Sequence, residues 1–201
     1  QEPTYATIEV RKHDRRLVYL EPGKDLTLSY SMKKGEKEVD FAGELAKENR
    51  FLAQNGFYSF VPVNYKDRDI RQAARRADSV LAVNRQKLKE VSLSDMFKTW
   101  ENKRLEVDVC AALLRAPLVD TALYLQTIQE KMGMDSSYLS IPAYREFLEQ
   151  YVRMWVRVNG DKSYEGTELA DRRLDCIFRN FEDPATLSYL VDKTLFHFGT
   201  S

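Results

Sequence analysis

The first forty-two residues read as β-type sequence, with strands of period-two alternation separated by polar turns, and after Gly43 the apolar spacing lengthens to three and four. The alternation is clearest in Leu26-Thr27-Leu28-Ser29-Tyr30-Ser31-Met32, where one face of a strand can pack while the other meets water. The pattern predicts strands at Tyr5–Val10, Leu17–Leu20, Leu26–Met32 and Val39–Phe41. Between the second and third, Glu21-Pro22-Gly23-Lys24 puts proline and glycine at the two central positions of a type II turn, where a fixed and a positive φ are required, and so predicts a hairpin. Lys33-Lys34-Gly35-Glu36 is a second polar turn. Together the four strands predict one small antiparallel sheet, whose apolar face must be covered by helices or by a further layer.

Helical spacing then predicts seven segments: Glu44–Gln54, Asp67–Val91, Ser94–Arg115, Val119–Met132, a helix opened by Ser140-Ile141-Pro142 and stopped by Gly160, Thr167–Phe181 and Pro184–Phe198. In the second the buried stripe is read as Ile70, Ala74, Ala77, Leu81, Leu88 and Val91; in the third as Met96, Trp100, Val107, Cys110 and Leu114. The short link between these two, with Ser92 and Ser94 as capping candidates, predicts an antiparallel pair that buries Leu81 and Trp100. Asp183 is placed to cap the last helix, with Pro184 at its first position. The expected fold class is α+β: a small antiparallel β-sheet at the N-terminus followed by a mostly α-helical body of about six or seven helices. Residues 1–42 form the β segment, which could be the end of a larger β domain, and residues 43–201 the helical domain.

Composition narrows the function classes. Thirty-one basic and thirty-one acidic residues cancel, so no global field draws the chain to nucleic acid or to an anionic membrane. No run of about 18 apolar residues occurs, and Gln1-Glu2-Pro3-Thr4 has neither the basic nor the apolar part of a signal peptide, although one could already have been removed. The basic residues of the second helix, from Arg68 to Lys89, interleave with Asp67, Asp69, Asp78 and Glu90, which favours a solvated face over a phosphate track.

Chemistry-bearing groups are sparse. His13 and His197 are the two histidines, and without His-x-x-x-His or Cys-x-x-Cys spacing no metal site and no cofactor is expected. Hydrolase elbows, phosphate loops and dinucleotide fingerprints are all missing from the sequence. Cys110 lies on an apolar stripe, where a thiol packs as a small hydrophobe; a disulfide between Cys110 and Cys176 is the alternative. Arg172 and Arg173, just before Cys176, could lower its thiol pKa. Tyr144, Phe147, Tyr151 and Trp155 could form a sugar platform but fit an amphipathic core face better. Phe57, Tyr58, Phe60 and Tyr65 fit neither period and flank Pro62, which leaves local packing and a partner-facing surface both open.

Two stretches, Leu17-Val18-Tyr19-Leu20-Glu21-Pro22-Gly23-Lys24-Asp25-Leu26-Thr27-Leu28 and Val39-Asp40-Phe41-Ala42-Gly43-Glu44-Leu45-Ala46-Lys47-Glu48-Asn49-Arg50-Phe51-Leu52, resemble the amino-terminal half of thioredoxin-like TlpA/ResA-type envelope proteins. The resemblance covers about the first quarter of the chain closely. It implies a β-rich domain ending in the Pro-Gly turn and the Phe-x-Gly step, then a helical segment, with the thioredoxin domain last. This chain departs from it in carrying only the last strands of that β domain and in lacking Trp-Cys-x-x-Cys, so the family's redox activity has no residues here to sit on.

The expected function is therefore a non-catalytic accessory domain of an envelope protein, positioning or dimerising a thioredoxin-like domain in the same parent chain, or holding its client. The location implied is periplasmic or cell envelope, as a lipoprotein if a lipid anchor once preceded the chain; a homodimer is a further option. The alternative is a free-standing periplasmic protein that takes a peptide or glycan in a groove near residues 57–65.

Overall fold

The computed structural model describes residues 2–11, 14–33, 36–55, 70–114, 120–131, 136–160 and 164–199. Among the described residues four strands, β1 (Thr4–Arg11), β2 (Asp14–Leu20), β3 (Thr27–Lys33) and β4 (Glu36–Ala42), precede seven helices: α1 (Ala46–Asn55), α2 (Ile70–Glu90), α3 (Asp95–Leu113), α4 (Thr121–Lys131), α5 (Pro142–Asn159), α6 (Gly166–Asn180) and α7 (Pro184–Gly199). A 3₁₀ turn at Ser136–Ser140 leads into α5. The architecture is α+β, as the two hydrophobic periods predict.

The strands form two separate two-stranded antiparallel sheets rather than one sheet of four. In the first, β1 pairs with β2 from Thr4 opposite Leu20 to Arg11 opposite Asp14; in the second, β3 pairs with β4 from Thr27 opposite Ala42 to Lys33 opposite Glu36. The Pro-Gly turn between them is formed, with Gly23 at φ +80 and the Lys24 amide donating to the Glu21 carbonyl at 3.2 Å. It does not make the expected hairpin. A type II turn twists against the right-handed twist of paired strands and splays them, so β2 and β3 each pair with their other neighbour.

The change of period at Gly43 has a steric cause. Gly43 sits at φ +92, and a Cβ there would stand 2.8 Å from the Asp25 carbonyl oxygen. The chain folds back on the Asp25 backbone, whose carbonyl accepts from the Leu45 amide at 3.3 Å, and α1 starts at once. Only glycine fits a left-handed position with so close a neighbour.

Asn49 of α1 is fully buried and stands in for a missing strand beside β2. Its Oδ1 accepts from the Tyr19 amide at 2.8 Å, while its Nδ2 donates to the Tyr19 carbonyl at 3.0 Å and to the Leu45 carbonyl at 2.9 Å. Buried backbone groups at a sheet edge need such partners.

Helices α2 and α3 pack together as expected, joined by the short link before Ser94, whose hydroxyl caps α3 by accepting from the Phe97 amide at 3.3 Å. Trp100 is buried. Leu81 and Val91 are half-buried rather than buried, and Leu88 is the enclosed leucine of α2. The predicted α3 stripe is off by one position at its start: Met96 is 48% exposed and Phe97 is fully buried against Tyr19 and Phe51. Contact with α2, α4, α5 and the first hairpin encloses α3 on most of its circumference, so no single stripe describes it.

Helix α5 carries a chain of rings. Tyr138 in the 3₁₀ turn meets Tyr144, then Phe147, Tyr151 and finally Phe181, with centroids 5.5 to 6.3 Å apart. Tyr144, Phe147 and Tyr151 are buried, which makes them core and not a sugar platform; Trp155 is half-buried. Asp183 caps α7 through the Thr186 amide at 2.8 Å, and Pro184 opens that helix. The main core runs continuously from Tyr5 and Tyr19 through α3 to α5, α6 and α7. A small second cluster, Val18, Phe41 and Ala46, lies under the two hairpins, with Ala6, Leu26, Leu28 and Val39 half-buried around it.

Candidate functional site

Three places concentrate polar chemistry. The first is a buried ion cluster between β1 and α3. Arg104, with 4% of its surface exposed, donates to Glu101 through Nε at 2.8 Å and Nη2 at 2.6 Å, and to Asp108 through Nη1 at 2.5 Å. The Tyr5 hydroxyl donates to Glu101 Oε2 at 2.9 Å. Burial pulls the Arg104 guanidinium down, but Glu101 and Asp108 outweigh it and hold it above its ordinary value. Burial, then the charge of Glu101, pushes the Tyr5 phenol well up. Both Glu101 oxygens are engaged, so the cluster reads as a clamp of the first hairpin onto the central helix. Thr4 adds to it by donating to the Ser140 carbonyl at 2.5 Å.

The second place is the pair of cysteines. Both are free and buried, Cys110 on α3 and Cys176 on α6. The disulfide alternative is not formed, both thiols being free. Burial, then Glu106, pushes the Cys110 thiol up to about 12. Burial, then Asp175, pushes Cys176 up to about 12 as well, with the Asn180 amide 3.8 Å from its sulfur opposing in part. Arg172 and Arg173 therefore do not activate Cys176, whose thiol is governed by burial and by Asp175.

The two buried thiols tie the stability of the fold to pH. An unfolded thiol ionises near 9, whereas the folded ones keep their protons to about 12. Their contribution is complete below about pH 9 and is lost as pH rises toward 12, because the unfolded chain then holds fewer protons than the folded one. The buried phenols of Tyr5, Tyr19, Tyr124 and Tyr151, all raised chiefly by burial, act in the same direction at somewhat higher pH. Urea midpoints should fall steadily between about pH 9 and pH 12, with both thiols inert to a thiol reagent until the chain unfolds; a flat profile would contradict the burial of these groups.

The third place is a cleft of about 200 Å³ between α5, α6 and α7. Glu149, Val152 and Arg153 supply the α5 wall at helical spacing, Arg173 comes from α6, and Leu190, Lys193, Thr194, Phe196 and His197 come from α7. Three cationic side chains thus face one carboxylate. That carboxylate is already occupied: Glu149 Oε1 accepts from the Tyr189 hydroxyl at 2.7 Å, and Oε2 lies 3.5 Å from Arg153 Nη2. The Arg173 guanidinium lies 5.0 Å from the centre of the Phe198 ring. Its Nε is buried and has no hydrogen-bond partner among the described residues. Burial, then the like charge of Arg153, holds this guanidinium below its ordinary value. A neighbouring cleft lined by Trp155, Tyr164, Arg172, Asp175 and Arg179 differs in being paired internally: Arg172 sits 5.1 Å over Tyr164, and Arg179 Nε reaches Asp175 at 2.6 Å.

Phe57, Tyr58, Phe60 and Tyr65 lie outside the described residues, as does His13. Among the described residues no group of three or more His, Cys, Asp and Glu side chains could hold a metal ion, and no helix is long and apolar enough to cross a membrane. Comparison with protein-family models, with curated proteins and with solved structures finds no significant match. Sequence reasoning did not assemble the α5–α6–α7 cleft. Its one local sign is the recurrence of Leu190, Lys193, Thr194 and His197 on one face of α7, a spacing that any amphipathic helix shows.

Proposed function

We propose that this chain is a non-catalytic accessory domain of a cell-envelope protein, and that it positions or dimerises a thioredoxin-like domain or holds that domain's client. It works by orientation and effective concentration, not by making bonds. The observation that carries this reading is the distribution of chemistry. The thiols and the strongest acid–base cluster are buried and engaged inside the fold, while the cations of the α5–α6–α7 cleft exceed its carboxylates and face a ligand-sized space. The segments that resemble TlpA/ResA-type proteins fall on the β2–turn–β3 corner, which joins the two hairpins, and on the β4–Gly43–α1 corner, which joins the second hairpin to the first helix.

Two measurements test the proposal. Titrating the isotope-labelled chain with a TlpA/ResA-type thioredoxin domain should shift a localised set of amide resonances; a spectrum unchanged at saturating domain overturns the holding role. Reduction of insulin by dithiothreitol should run at the no-protein rate in the presence of the chain. Acceleration that disappears in Cys110→Ser or Cys176→Ser would refute the non-catalytic assignment, since exchange needs an accessible low-pKa thiolate. The alternative binding role near residues 57–65 rests on residues outside those described, and the cleft gives a binding role a different place in the molecule.

A further inference from the structure

We propose that the cleft between α5, α6 and α7 is an oxyanion site that takes a multiply charged small group, a phosphate ester or a dicarboxylate, on Arg173 and Lys193 with Arg153 at the rim. The proposal deepens the holding role and rests on it for its biological use, although the chemistry of the cleft is independent of it.

Four features support the assignment. Arg173 Nε is buried without a hydrogen-bond partner among the described residues, and a buried donor left unmade is costly unless something accepts from it. The guanidinium also lies 5.0 Å from the centre of the Phe198 ring, a cation–π contact that holds it at the cleft wall. Charge in the cleft is unbalanced, because Glu149 is held by Tyr189 and Arg153 and Lys193 is one turn along α7 from its ring contact with Tyr189, 5.9 Å away. Like charges brought together in a partly desolvated space favour a multivalent counter-anion over chloride. Finally, Phe196 is 73% exposed at the cleft, an apolar surface on which the organic part of an ester or diacid can rest. The cavity is below the size of sites for drug-like ligands, which suits a small anion rather than a large cofactor.

The experiment is calorimetric titration of the whole chain at low ionic strength with inorganic phosphate, with succinate, and with chloride at matched ionic strength. One saturable site is expected for phosphate, for succinate or for both, and the stronger of the two distinguishes an ester from a diacid. Arg173→Gln should weaken it by about tenfold or more, the loss typical of a charge-assisted hydrogen bond. Lys193→Gln should weaken it severalfold, and Lys47→Gln, an exposed lysine on α1, should leave it unchanged. Arg173→Lys keeps the charge without the fork and separates a folding defect from a recognition defect: a folded variant with reduced affinity supports the site. Equal heats for chloride, or equal losses in Lys47→Gln and Arg173→Gln, would reduce the effect to general screening and overturn the proposal. Adding the thioredoxin-like domain to phosphate-saturated chain separates the two ideas. Phosphate binding without domain binding removes the holding role and leaves the site; domain binding without phosphate binding does the reverse.

Discussion

Glu101→Gln should destabilise the fold by about 3 to 5 kcal/mol, because it leaves the Arg104 guanidinium buried with only the partly exposed Asp108 as a countercharge. The size reflects the asymmetry of buried ion pairs. Desolvating Arg104 is costly, Glu101 offsets the cost through two hydrogen bonds at 2.6 and 2.8 Å, and removing one partner keeps the cost while deleting the offset. The Tyr5 hydroxyl also loses its charged acceptor, so the first hairpin should loosen from α3. Replacing the whole set, as in Tyr5→Phe with Glu101→Leu and Arg104→Met, removes the charges together and should recover most of the loss. Urea unfolding of both variants checks this. A loss under about 1 kcal/mol in Glu101→Gln would mean that water reaches Arg104.

Phe147→Ala should cost a similar amount, about 3 to 5 kcal/mol, as a large-to-small change in a packed core. Phe147 is 1% exposed and stacks between Tyr144 at 6.2 Å and Tyr151 at 6.3 Å, so its removal interrupts the chain of rings and leaves a void that two large neighbours cannot fill without leaving their rotamers. Trp155→Ala, one turn beyond the enclosed rings and half-buried, should cost distinctly less. Against a typical total of about 5 to 15 kcal/mol, the Phe147 variant will be marginal. Equal losses at Phe147 and Trp155 would show that the ring chain is not the centre of this part of the core.

Each of these two predictions draws on a different kind of information. The aromatic face of α5 was legible as a core stripe because its ring positions recur at helical spacing and α5 buries one face. Glu101 and Arg104 gave no such sign. Three residues apart on a helix, they look like any solvated pair, and what buries them is a strand ninety-six positions away in the chain. The cleft is equally hidden: Glu149 with Arg153 and Lys193 with His197 are ordinary helix-face spacings, and Arg173 was noticeable only as a neighbour of Cys176.

What the amino-acid sequence determined by itself is therefore local. The Pro22-Gly23 turn, the glycine at 43, the Ser94 cap, the Asp183-Pro184 helix start and the order of strands before helices all depend on backbone sterics and on hydrogen bonds within a few residues. Tertiary structure decided the rest. It turned Phe97 inward in place of Met96, left Leu81 half-buried, raised both thiols instead of activating one, and set three cations from three helices around one space. In each case the outcome depends on which distant surface excludes water from a side chain, and desolvation belongs to the packed neighbourhood, not to the residue that feels it.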